Sequence, residues 1–374
     1  MADVAMRRPA RAAAGDGAID AAQLDAARLR SDDAAWDRFV ADSSAPSFLQ
    51  ATPWSVVKRP NGWRSARVVV DGPGGPVGAQ VLVRHPRPLP KGFGYAARGP
   101  ITTGPLGAAA LGSFTEAARR AAAGLGIAHL RIDPELEDLN GAIAATLRDL
   151  GWRPAPDIQP RSTQVIDLTR TEDELLSDLR KKTRQTLRRA EGDSVAVVSA
   201  GPERLPEFHG TLAGTMDRVG LPFRSVGFFR DLWAAYAPAG QATLLLAQTT
   251  EGQVVSGTFL VGWGPRIVAL YGGTNAEGRK LNSKYLINWE ALKRAKAAGY
   301  TAYDLWGLPN EGITYFKQGW GGRQVDYVGA WDLVVDPLGA RVFEAAVQAR
   351  ATIGRLRRRL SGGGADGDVP SEAA

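Results

Sequence analysis

Residues 315–322 read Y-F-K-Q-G-W-G-G. They set Lys317 between two aromatics, Tyr315 and Phe316, and a glycine-rich turn around Trp320. An ammonium is seldom buried without a partner. Lys317 therefore either snorkels outward on its apolar stem or is held in place for chemistry. The other reactive residue types narrow that chemistry. The chain has no cysteine, which excludes a thiolate nucleophile, a disulfide framework and a Cys-ligated zinc. Its three histidines, His85, His129 and His209, are far apart and form no H-x-x-x-H pair. A His-rich metal site and a Ser-His-Asp triad are not expected.

Charge points to the class of partner. The 374 residues carry a net charge of +7, which favours anionic partners: nucleic acid, a membrane surface or a phosphorylated substrate. Residues 350–360, R-A-T-I-G-R-L-R-R-R-L, hold five arginines and no acid, with Ile353, Leu356 and Leu360 at helical spacing. Such a helix either lies on an anionic membrane or nucleic acid, or packs lightly on the body with a solvated face. The N-terminal M-A-D-V-A-M-R-R-P-A-R lacks the apolar core of a signal peptide, and no run of about 18 apolar residues occurs. A cytoplasmic protein is expected, at most peripheral to the inner face of the plasma membrane.

The elements that must position Lys317 come in two similar halves. A-A-G-L-G-I-A-H-L-R-I-D-P (122–134) is echoed by A-A-G-Y-T-A-Y-D-L-W-G-L-P (297–309), and Val77–Val83 is echoed by Val255–Val261. Each copy of the first motif follows a helical run, passes a helix-ending glycine and enters a short strand closed by proline. In the second half, 241–248 and 254–261 read as a hairpin, 266–271 as a strand and 283–298 as a helix with Leu286, Trp289, Leu292 and Ala295 on its inner face. Residues 326–335 read as one strand. Between the halves, 172–191 reads as a single helix with an acidic start and a basic end, which suits the helix dipole, and Thr171 with Glu174 fits a capping box.

This order of elements is that of a GNAT acyltransferase unit, met twice. The pyrophosphate loop of such units, R/Q-x-x-G-x-G/A, corresponds to Arg279-Lys-Leu-Asn-Ser-Lys284, where Asn282 and Lys284 replace the glycines. Side chains there obstruct the approach of backbone N–H groups to a pyrophosphate. The order points to acyl transfer, and the loop argues against coenzyme A as the donor. The expected fold class is α+β (mixed α/β), with two tandem GNAT-like domains and no long coiled-coil arm. The expected boundaries are a disordered tail at 1–18, GNAT-like domains at 19–165 and 166–340, a basic helix at 341–360 and a disordered tail at 361–374.

Over residues 30–340 the chain resembles the FemABX family, the peptidoglycan-bridge aminoacyltransferases. The matching pieces are Gln50-Ala-Thr-Pro-Trp-Ser-Val-Val-Lys58, Arg98-Gly-Pro100, Arg131-Ile-Asp-Pro-Glu135, Leu179–Ala190, Arg218–Phe229, Tyr271-Gly-Gly273 and Phe316-Lys-Gln-Gly-Trp-Gly-Gly322. The resemblance implies transfer of an amino acid, glycine or alanine, from aminoacyl-tRNA to the stem-peptide side-chain amine of lipid II or UDP-MurNAc-pentapeptide. It implies no cofactor and no metal, and a monomer is expected. A cation near the ester carbonyl or the leaving oxygen assists such a transfer. By motif position Lys317, beside Phe316, is that cation.

The resemblance also makes Lys58 and Arg224 the contacts of the acceptor diphosphate. Against this stand a surface lysine at a helix end and an ordinary surface ion pair. Asp133 matches an acidic residue that steers the amine or accepts its proton, and it equally suits a turn before Pro134. Tyr271 lines the channel or sits in a core strand. Phe228 stands where the family commonly has Tyr. The basic residues between Arg180 and Arg189 are a solvated face or a tRNA contact. Two rivals remain: a GNAT N-acyltransferase using acyl-CoA or acyl carrier protein, and a non-catalytic binder of lipid II or anionic lipid.

Overall fold

The computed structural model describes residues 25–192, 194–219 and 224–360, so the two expected tails lie outside the described residues. The chain forms two compact units. Among the described residues the first holds 25–45, 49–159 and 327–360, and the second holds 46–48 and 160–326.

The first unit is built on strands β1 (Arg64–Gly72), β2 (Gly75–Arg84), β3 (Gly92–Ala96), β4 (Ile101–Thr102), β5 (Ile127–Ile132) and β6 (Trp152–Pro154). The second contributes β7 (Ser162–Asp167), β8 (Val195–Ala200), β9 (Ala242–Thr249), β10 (Val254–Trp263), β11 (Arg266–Thr274), β12 (Ala302–Gly307) and β13 (Arg323–Asp326). A last strand, β14 (Trp331–Val334), belongs to the first sheet. The sheet orders are β1-β2-β3-β5-β14-β6, with β4 on β2, and β8-β9-β10-β11-β12-β7-β13.

The two sheets match position by position. In each, an antiparallel pair (β1-β2, β9-β10) leads to a strand that pairs in parallel after a helical crossover. The crossovers are helix Ala108–Leu125 between β3 and β5, and helix Ser283–Ala297 between β11 and β12. In each sheet an antiparallel strand then follows: β14 beside β5, and β7 beside β12. The repeat seen in the sequence is thus a repeat of topology. Leu286, Trp289, Leu292 and Ala295 are all buried, the last three of them in the second core. Each large apolar side chain so placed contributes about 1.5–3 kcal/mol.

Three expectations are corrected. Residues 326–335 are not one strand. The chain leaves β13 at Asp326, turns through Gly329 in a left-handed conformation (φ +83°) and enters the other sheet as β14. The domain boundaries shift accordingly: 160–165 goes with the second unit and 327–340 with the first. A strand's partner is a non-local choice that its own residues do not encode. Residues 172–191 are two helices, Glu172–Asp178 and Lys181–Ala190, because Leu179 and Arg180 are extended (ψ 136° and 142°). The Arg180 amide leaves the helical ladder and donates to the Gly319 carbonyl at 3.0 Å. Thr171 and Glu174 do form the capping box. Lys181 and Lys182 nevertheless begin the second helix and oppose its dipole, while Arg188 and Arg189 lie in its last turn and suit it.

The basic C-terminal helix runs from Pro337 to Leu360. Its first turns belong to the fold: Ala340 is buried, and the Phe343 ring lies against Phe93 and His129 at 5.4 and 5.3 Å. The side chains of residues 350, 351 and 354–360, which carry the five arginines, lie outside the described residues. Among the described residues no helix is long and apolar enough to cross a membrane.

Candidate active site

Lys317 lies in the last turn of helix Glu311–Gln318, which starts at the Asn310 cap. Two devices fix this helix. Trp320 is buried in the second core beneath Tyr285 and Phe316. Gly321 and Gly322 both adopt left-handed φ (+76° and +74°), and a Cβ on Gly322 would stand 2.3 Å from the Val165 carbonyl oxygen. The paired glycines of the quoted motif are therefore a steric requirement of the turn into β13.

Lys317 does not snorkel into solvent. Its Nζ donates to the carbonyls of Gly307 at 2.5 Å and Trp306 at 3.1 Å, where β12 ends. Trp306 has φ +59°, a conformation that costs a non-glycine residue about 1–2 kcal/mol. The Asp304 side chain holds that turn: Oδ1 accepts from the Trp306 amide at 2.6 Å and from Thr163 Oγ1, while Oδ2 pairs with Arg266. Burial works against the Asp304 carboxylate. The Arg266 charge and the hydrogen bonds from Arg266, Thr163 and Trp306 outweigh it and keep the carboxyl below its usual range.

Burial, and then the charge of Lys284, push the Lys317 ammonium down to about 7, against the opposing pull of Asp304. Near neutral pH the group is therefore poised between two forms. A neutral amine has two N–H groups, which the two carbonyls occupy, so its lone pair is left to accept a proton. The ammonium has a third N–H for a developing negative charge. Lys284 itself lies with Nζ 4.4 Å from the centre of the Phe316 ring.

Arg224 and Tyr271 come together. The Arg224 guanidinium lies over the Phe228 ring at 5.2 Å, and its charge acts on the Tyr271 hydroxyl. Burial raises the Tyr271 hydroxyl, and Arg224 opposes the rise. His209 Nε2 donates to the Arg224 carbonyl at 2.9 Å. Phe228 keeps the aromatic contact with Tyr271, at 6.0 Å, without a hydroxyl of its own.

In the first unit, Lys58 is the last residue of helix Thr52–Lys58. It is buried, not a surface lysine, with Nζ 5.1 Å from the centre of the Trp54 ring. Asp133 is buried too. Its Oδ1 accepts from the Arg98 amide at 2.6 Å and its Oδ2 from the Tyr95 hydroxyl at 2.7 Å. Burial raises its carboxyl despite Arg98 and those hydrogen bonds. Arg98 has φ +57° and an ion pair with buried Glu135 at 3.3 Å. The contacts of Asp133 are those of a residue that shapes a turn.

Sequence reasoning passed over Asp304 and the carbonyls of Trp306 and Gly307. The one local signal was the strand-ending D-L-W-G, where an acid two residues before a bulky residue and a glycine suits a side chain that caps its own turn. The substituted loop, Asn282–Lys284, is helical on both sides. The chain passes from helix Ala276–Lys280 into the long helix through Asn282 (φ +53°). The Tyr285 amide is satisfied by the Asn282 carbonyl at 2.9 Å, and Ser283 is tied inward to Ser256 at 2.6 Å. No group of residues suited to holding a metal ion occurs among the described residues.

An acetyltransferase (GNAT) domain family model matches residues 177–318. The chain is 24% identical to a lipid II:glycine glycyltransferase of Staphylococcus saprophyticus, over 88% of this chain and 97% of that one. It is 23% identical to the lipid II:glycine glycyltransferase of Staphylococcus aureus, over 87% and 96%. Among solved structures it superposes on FemX with a TM-score of 0.75, at 22% identity, covering 83% of this chain and 98% of that one. The mixed α/β fold of two GNAT-like units is therefore that of FemX.

Proposed function

We propose that this chain, FemX-like in fold and related along most of its length to lipid II:glycine glycyltransferases, transfers glycine from an aminoacyl-tRNA to the stem-peptide amine of lipid II. The observation that carries the reading is Lys317, held by two carbonyls with one position of its nitrogen left over, at a depressed pKa. The acceptor amine attacks the ester carbonyl, a C–N bond forms and the bond between the carbonyl carbon and the ribose oxygen breaks. Neutral Lys317 takes the proton that the amine loses, and the resulting ammonium delivers it to the departing ribose oxygen. In between, its charge offsets the oxyanion. An ester is activated enough that this route needs no covalent intermediate on the enzyme.

Lys58 and Arg224 are assigned to the acceptor diphosphate. Tyr271 and Phe228 hold the Arg224 guanidinium in place, and Phe316 flanks Lys317 and Lys284. Asp133 holds the Arg98 turn and is assigned, by its motif position, to steering the attacking amine. Against an acyl-CoA donor stands the Asn282 passage, which presents side chains and a satisfied amide where a pyrophosphate needs open N–H groups.

The test is incubation with a mixed charged-tRNA pool and either lipid II or UDP-MurNAc-pentapeptide, followed by mass spectrometry of the acceptor. A glycine adduct that requires charged tRNA is the expected result. An alanine adduct would change the donor, and an acetyl adduct from acetyl-CoA would overturn the reading.

A further inference from the structure

The break at Leu179–Arg180 turns a run of cations into a surface. Helix Lys181–Ala190 buries Thr183, Leu187 and Ala190 and exposes Lys181, Lys182, Gln185, Arg188 and Arg189. At 100° per residue these five positions fall within an arc of about 120°. Arg184, on the flank, is occupied elsewhere: it donates to the carbonyls of Leu176, Ser177 and Leu179 and closes the preceding helix. Among the described residues no carboxylate pairs with any of the four exposed cations.

We propose that the stripe of Lys181, Lys182, Arg188 and Arg189, with the Arg180–Tyr315 stack at its start, is a track for the phosphate backbone of RNA. The inference rests on the donor being an aminoacyl-tRNA. Three observations carry it.

The helix opens on cations. Arg180 is its N-cap residue, Lys181 and Lys182 lie in its first turn, and no acid stands there to offset the positive end of the dipole. The fold does not relieve this arrangement, and a polyanion does. The stripe runs about 12 Å along the helix, a length over which one strand of a nucleic-acid helix passes three or four phosphates.

The stripe abuts the Lys317 helix. The Arg180 guanidinium lies 4.8 Å from the centre of the Tyr315 ring and donates to the Tyr315 carbonyl at 3.3 Å and to Gln318 Oε1 at 3.1 Å. Tyr315 is 58% exposed, two residues from Lys317. An exposed aromatic beside an arginine is a platform on which an unpaired base stacks.

The chemistry favours RNA over a membrane. A helix that lies on a bilayer inserts an apolar face. The apolar face of this one is buried in the protein, and its exposed face holds only cations and Gln185.

The test is fluorescence anisotropy with a labelled RNA hairpin ending in an unpaired 3′ tail, titrated from 50 to 300 mM salt. The variants are Lys181→Gln/Lys182→Gln/Arg188→Gln/Arg189→Gln, and a charge-matched control, Arg153→Gln/Arg230→Gln/Arg279→Gln/Lys280→Gln, with circular dichroism to verify folding. The stripe variant should bind at least tenfold more weakly at the lowest salt. Its plot of log K against log salt should be shallower by about 2–3, since each lost phosphate contact removes 0.7–0.9. Tyr315→Ala should weaken binding about fivefold or more, and only for the tailed hairpin. Equal weakening in the control would overturn the proposal. So would unchanged RNA affinity in the stripe variant, or loss of co-sedimentation with phosphatidylglycerol–phosphatidylcholine vesicles in place of RNA binding. Stripe-dependent RNA binding without any transfer from charged tRNA would uphold the track and remove the donor assignment instead.

Discussion

The carbonyl of Trp306 accepts a hydrogen bond from Lys317 Nζ at 3.1 Å, and Trp306 takes up a left-handed backbone, φ +59°, to present it. The conformation persists because Asp304 grips the Trp306 amide at 2.6 Å and is itself fixed by Arg266 and Thr163. A buried ion pair on one side of the strand end thus positions the amine on the other.

Removing the amine tests its role. Lys317→Met should lower turnover by about a hundredfold or more, the scale of one lost transition-state contact, while acceptor KM changes little. The wild-type kcat should fall on the acid side of about pH 7, where Lys317 becomes protonated and cannot accept the proton of the amine. That limb should be missing from the residual activity of the variant. Near-normal turnover, or an acid limb kept by the variant, would refute the assignment.

The same group makes stability depend on pH. The folded pKa of Lys317, about 7, lies below the ordinary lysine value of 10.5. Between those values the unfolded chain binds the extra proton, so stability rises with pH across that window. Below pH 7 the folded state carries the full cost of a partly buried charge. Lys317→Met should therefore be more stable than wild type at pH 6, with the gap closing toward pH 10. Denaturant titrations at four pH values check this.

Asp304→Asn should leave Arg266 buried beside a neutral partner and destabilise the fold by about 3–5 kcal/mol, the cost of breaking a buried pair. Because Asp304 supports the Lys317 ammonium, its loss should also move the acid limb of kcat to lower pH. Urea denaturation and the pH profile of the variant report the two effects separately.

Lys58→Ala and Arg224→Ala should each raise acceptor KM by a factor equivalent to about 1.5–3 kcal/mol, the worth of a charge-assisted hydrogen bond. With free pentapeptide as acceptor, which lacks the diphosphate, both changes should be silent. Variants that still prefer the diphosphate acceptor as strongly as wild type would show that these cations serve elsewhere.

The C-terminal helix divides into two parts. A chain ending at Gly339 loses Phe343 from its place against Phe93 and His129 and should be destabilised. A chain ending at Gln348 keeps that contact and loses only the arginine-rich part. It should remain active on UDP-MurNAc-pentapeptide and bind anionic vesicles less well at low salt, by about 1 kcal/mol for each basic residue removed. Equal co-sedimentation of this form and the full chain would leave the arginines without a membrane role.

The sequence by itself determined the elements and their repetition. Apolar spacing marked the helix at 283–298, the hairpin of 241–248 with 254–261 and the paired crossovers, because helix and strand periods are local properties of a chain. It also marked Lys317, through the aromatics and paired glycines around it. Only the tertiary structure decided the rest. Strands β7 and β14 took places that their own residues do not specify, since register and partner follow from which sheet edge is open. The basic run after Glu172 became a separate helix because the Arg180 amide found the Gly319 carbonyl, 139 positions away in the chain, in place of its own helix. Lys317 acquired its depressed pKa from burial and from Lys284, 33 positions earlier, and its orientation from two carbonyls at the end of β12. Charge, burial and hydrogen bonding act through space, so a lysine's chemistry is written in its neighbours, and the fold chooses those.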